Sequence, residues 1–169
     1  MMPSIELRLR TLIRAVGEVI VPAIDPSNSL AQEQARLLLG HLHAISLQLG
    51  HEAALIARDD DAVRRLARAL LASAEGGVHT RAAQAALADT VDTTRGALLA
   101  AIDAFVLASG VDGSDACRQA SWRLVLDDAR ATAWHGRAWF RAMGYEDDPA
   151  AVPDIPTLLA AASASDAKD

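Results

Sequence analysis

Between residues 31 and 56 apolar side chains recur in a 4-3-4-3 rhythm: Ala31, Ala35, Leu38, Leu42, Ile45, Leu49 and then Ile56. A helix turns about 100° per residue, so this spacing keeps one face apolar over many turns. Such a stripe leaves water only by packing on other helices, as in an antiparallel bundle. A sheet would need strict alternation and β-branched or aromatic residues. Aromatics are only 4 % of this chain, and no stretch alternates.

The remaining segments follow the same logic. A first helix is predicted from Ile5 to Val21, capped by Ser4 and closed by Pro22 and Pro26. Ser29-x-x-Gln32 has the form of a capping box, opening a second helix from Leu30 to Ala57. The run "RDDD" at 58–61 is read as a break that starts a third helix, Ala62 to Ala74, with Gly76-Gly77 as its C-terminal signal. A fourth helix runs from Thr80 to Ala108, weakened around Asp89-Thr90, and "SGVDGS" turns the chain. A fifth runs from Asp115 to Met143, with Gly144 as its stop. The expectation is an all-α, single-domain, up-down bundle of about five helices over residues 1–148. A Pro/Ala-rich tail, 149–169, follows, with its last ten residues expected to be disordered.

Charge and cysteine usage narrow the function classes. The net charge of −6 offers no broad basic surface, so nucleic acid is not expected as a partner. The single cysteine, Cys117, permits no intrachain disulfide and suits a reducing compartment. Charges at Glu6, Arg8 and Arg10 stand where a signal peptide needs its apolar stretch. No apolar run reaches the ~20 residues a membrane helix needs. A cytoplasmic protein with no membrane partner is expected.

The second helix concentrates the polar candidates. His41 and His43 point about 200° apart on a helix and cannot share a metal within one chain. Neither His-x-x-x-His nor Glu-x-x-His occurs, so no metal or cofactor is expected. Gln34, His41 and Gln48 recur at sevens beside the apolar stripe, and Glu52 extends the row. One reading is hydrogen bonding between helices at half-buried positions. The other is the polar wall of a small-molecule site between the second and fifth helices, completed by Trp122. No nucleophile elbow or phosphate-binding glycine loop accompanies these residues. Cys117 reads as an inert buried thiol.

Five of the six aromatics lie between Trp122 and Tyr145. The fifth helix is apolar on two faces. Trp122, Leu126, Ala129, Ala133, Gly136 and Phe140 form the expected core stripe, and a second line runs through Leu124, Trp134 and Ala138. Either the tail, through Val152, Ile155, Leu158 and Leu159, folds back over Trp134, or another chain covers the second line, with Leu124, Trp134 and Ala138 as interface candidates.

The stretches "LRTLIRAVGEVIVPAIDP" and "LAQEQARLLLGHLHAI", within residues 5–56, resemble a group of small bacterial helical proteins. These are encoded beside phosphotransferase-like kinases and acyl-CoA dehydrogenases. The resemblance implies an accessory subunit for a kinase-like enzyme and carries over no catalytic residue. Together these features suggest a non-catalytic interaction protein that forms a homodimer or docks onto an enzyme of small-molecule or acyl metabolism. The alternative is a small-molecule-binding protein or enzyme with its site between the second and fifth helices.

Overall fold

The computed structural model describes residues 2–166, with side chains as far as residue 160. The all-α expectation holds, but the arrangement is not an up-down bundle of five helices. Among the described residues the chain forms seven helices and two compact units, one comprising Met1–Ala54 with Trp134–Asp169 and the other Leu55–Ala133. None of the described helices is long and apolar enough to cross a membrane.

In the first unit, α1 (Ile5–Arg14) starts at Ser4, whose hydroxyl accepts the Leu7 amide at 3.2 Å. A π-helical segment, Ala15–Ile20, continues it, and a last turn, Val21–Ala23, ends it. Proline offers an origin for the π segment. Pro22 has no N–H to give to Glu18, and the preceding Val21 amide bonds one residue further back, to the Val16 carbonyl.

Helix α2 (Ser29–Gln48) is capped by Asn28, which accepts the Ala31 amide at 3.1 Å, not by the expected Ser29–Gln32 box. Gln32 instead donates to the Ile24 carbonyl at 3.0 Å and ties the preceding loop down. The helix also stops earlier than the apolar rhythm suggests. Gly50 turns left-handed, with φ 86°, and separates α2 from α3 (Glu52–Ala72). A glycine at that φ costs nothing sterically, whereas any other residue would be strained.

The "RDDD" run breaks nothing: it lies inside α3. It contains neither Gly nor Pro, and its carboxylates find partners on the helix surface, Asp61 with Arg64 and Asp59 and Asp60 with Arg95. The predicted fourth helix splits, as its weak point at Asp89-Thr90 suggested, into α4 (Val78–Thr90) and α5 (Arg95–Asp112). Thr94 caps α5 through the Ala97 amide.

Helix α6 (Asp115–Phe140) passes into a 3-10 turn, Arg141–Met143, and Gly144 ends it at φ 77°. The tail is structured through α7 (Ile155–Asp166); residues 167–169 lie outside the described residues.

The core of the second unit is Val63, Ala67 and Leu70 from α3, Leu87 from α4, Leu98, Ile102 and Phe105 from α5, and Cys117 from α6. A backbone clasp ties its α4–α5 pair. Gly76 and Gly113 form an isolated antiparallel bridge, and a Cβ on Gly76 would lie 2.8 Å from the Gly113 Cα. Any larger residue at position 76 would have to displace that backbone.

Candidate functional site

The polar row does not converge. Gln34 and His41 are exposed on α2. Glu52 begins α3 and accepts the Gly50 amide at 3.0 Å, so its carboxylate serves the turn. Gln48 alone reaches another helix, donating from Nε2 to the Trp139 carbonyl at 2.9 Å. Trp122 belongs to the other compact unit and is 62 % exposed.

On α2, Gln34, Leu38, His41 and Ile45 are all exposed and fall within about 60° of one another on the helix. One flank is turned to α1: Ala35 is buried there, and Leu39 approaches Gly17 of the π segment at 3.6 Å from its would-be Cβ. On another flank Gly40 meets Met143. Between them runs a strip with no Asp, Glu, Lys or Arg. The neighbouring helix behaves likewise. Along the first helix Leu9 and Val16 are buried, whereas Ile5, Leu12 and Val19, spaced at sevens, remain open. Each helix of this hairpin thus uses only part of its apolar stripe within the chain.

Helix α6 does not turn its expected core stripe inward. Trp122, Leu126 and Phe140, the expected core stripe, are exposed large side chains. The second line turns inward only in part: Leu124 packs against the core of the second unit, beside the buried Cys117 and Ser121, while Ala131 and Trp134 are exposed. In the first unit, Ala138 is buried with Val152 and Leu158. The tail therefore covers Ala138, whereas Trp134, which it was expected to fold over, stays partly exposed. Small residues explain the choice. Cys117, Ser121 and Ala138 let neighbours approach closely, while the larger side chains on the other face would hold them off. Trp134, also an interface candidate, is 38 % exposed and lies under the Arg137 guanidinium, 5.2 Å from its centroid. Arg137 also bonds Glu146, which holds the Glu146 carboxyl below its usual pKa, chiefly through that hydrogen bond.

A cavity of about 590 Å³ lies wholly within the first unit, where the ends of α2 and α6 meet the start of α7. Leu47, Leu49, Trp139 and Ile155 give it apolar walls, and His51, Arg141 and Asp154 are its ionisable residues. Sequence reasoning named Gln34, His41, Gln48, Glu52 and Trp122, none of which lines this cavity. The signal it missed is the left-handed Gly50, which swings His51 off the helix.

Two charge clusters in the second unit also escaped the sequence reading. Asp112 accepts the His79 and Thr80 amides, both at 2.9 Å, and the Thr80 hydroxyl at 2.7 Å, so it caps α4 from 32 residues away. The Thr80 hydroxyl is the main reason its carboxyl titrates below the usual range. Asp128 is pushed the other way, first by burial and then by the Asp59 charge. Among the described residues no three His, Cys, Asp or Glu are grouped so as to hold a metal ion.

No protein-family model matches the chain, and no curated protein and no solved structure matches it.

Proposed function

We propose that this is a helical interaction protein whose α1–α2 hairpin pairs with that of a second copy. The observation that carries the reading is the open strip of Gln34, Leu38, His41 and Ile45 on α2, accompanied by Ile5, Leu12 and Val19 on the first helix. A heptad stripe with only part of it covered resembles a bundle from which half the helices have been removed. A second hairpin of the same kind completes it under two-fold symmetry, because the same strip then serves both partners.

The magnitudes favour a reversible assembly. The five aliphatic residues are 46–66 % exposed. Fully burying such a side chain stabilises by about 1.5–3 kcal/mol, so the remaining half is worth about 1 kcal/mol each. A symmetric pair then gains roughly 10 kcal/mol, against about 4–15 kcal/mol lost in association. Gains and losses of that size describe a concentration-dependent dimer. The lack of charge on the α2 strip removes the desolvation cost that would otherwise oppose it.

Sedimentation equilibrium across a wide concentration range tests the proposal. Wild type is expected to shift from monomer towards dimer, and Leu38→Glu with Ile45→Glu to stay monomeric with an unchanged circular-dichroism spectrum. A wild type monomeric at every concentration overturns self-association and leaves docking onto a different protein as the interaction to test.

A further inference from the structure

We propose that the cavity at the ends of α2 and α6 binds a small apolar monocarboxylate, with Arg141 taking the carboxylate. Its volume, about 590 Å³, falls among those of small-molecule sites, roughly 300–1,000 Å³. Its make-up is also of that kind: mainly apolar walls with a few polar groups to fix orientation. Three separate stretches build it, so the site depends on the folded chain and not on one helix.

The charges decide what it takes. Asp154 is already partnered within the chain at the start of α7, where its Oδ1 accepts the Thr157 amide at 2.8 Å. The Thr157 hydroxyl and amide, with a smaller contribution from the Arg141 charge, keep that carboxyl ionised below its usual range. Arg141, by contrast, makes no side-chain hydrogen bond or ion pair within the bonding distances of the described structure. It is half-buried beside apolar surface. A planar guanidinium with unused donors matches a carboxylate in a two-point grip. His51 lines the same cavity and can add a donor.

The walls set the rest of the ligand. Leu47, Leu49, Trp139 and Ile155 leave a hydrocarbon or aromatic body as the natural occupant. A phosphate ester fits less well, since one guanidinium would face a double charge against apolar walls. Gln48 is a positioning residue here: its bond to the Trp139 carbonyl fixes one wall against the other. The site is independent of the hairpin strip, so its failure and that of self-association are separately visible.

Isothermal titration of the full chain with octanoate, octan-1-ol and octylamine provides the test, with the Trp139 indole N–H signal in NMR as the locator. Octanoate is expected to bind in the roughly millimolar range or better and to shift that signal, with octylamine not binding. Arg141→Gln should weaken octanoate about tenfold or more while leaving octan-1-ol unchanged. Circular dichroism confirms that the variant is folded. Three results would each overturn the proposal: no heat from octanoate, equal binding of octanoate and octylamine, or binding unaffected by Arg141→Gln.

Discussion

Replacing Trp122 by alanine separates the folded arrangement of α6 from the one its apolar spacing suggests. Truncating a fully buried tryptophan costs about 3–5 kcal/mol. Trp122 is 62 % exposed, so only about a third of its surface is lost from contact and the cost falls to about 1–2 kcal/mol. Ser121, one residue along, is 1 % exposed and sits on the inward face. Enlarging it to leucine forces neighbours off their preferred rotamers and should cost about 1–3 kcal/mol, although the change adds apolar surface. Phe105→Ala calibrates the scale: that ring is wholly buried in the same core and should cost about 3–5 kcal/mol. Urea unfolding followed by circular dichroism gives all three differences from the midpoint at constant slope. A Trp122→Ala variant as damaged as Phe105→Ala, with Ser121→Leu unaffected, would mean that the faces of α6 are the other way round.

Gly76→Ala should destabilise by about 1–3 kcal/mol, since its Cβ would lie 2.7 Å from the Thr80 Oγ1 and 2.8 Å from the Gly113 Cα. Gly136→Ala, inside α6 with nothing within 4 Å, should instead stabilise by about 0.5–1 kcal/mol; thermal melts compare the two. Asp112→Asn should lower the melting temperature at neutral pH. Because the native carboxyl titrates below 3.8, its contribution is present above that value and fades as pH falls through the lower native pKa, so variant and wild type should converge in acid. Asp128→Asn should do the opposite at neutral pH. Burial raises the native pKa, so the ionised form disfavours the fold, and the variant's advantage should vanish below about 3.8, where both states are protonated.

Helix content was legible because its signals are local. Ser4, Gly144 and the weak point at Asp89-Thr90 each act within a turn of their own position, and the structure places ends at all three. Long-range partners were not legible. Asp112 caps a helix from 32 residues away, and Gly76 has meaning only opposite Gly113. The faces of α6 misled for a different reason. Apolar period identifies two candidate faces, but which one turns inward depends on how closely neighbours approach, and Cys117, Ser121 and Ala138 win by being small. The heptad row ends where Gly50 breaks the helix: past that point the count no longer describes direction, and Glu52 starts a new helix. Of the row, only Gln48 braces the cavity found at the ends of the same two helices.

The pairing of α1–α2 hairpins is tested most directly by thiol reactivity along α2. Cys117 is 1 % exposed and should stay silent, so a cysteine introduced at Leu38 can be followed alone, with Ala44→Cys, at a position 3 % exposed, as the buried standard. If the hairpins pair, the thiol at position 38 reacts quickly in dilute protein and becomes protected as concentration rises, while that at position 44 reacts slowly throughout. A thiol at position 38 that reacts at one rate at every concentration, fast or slow, would contradict it.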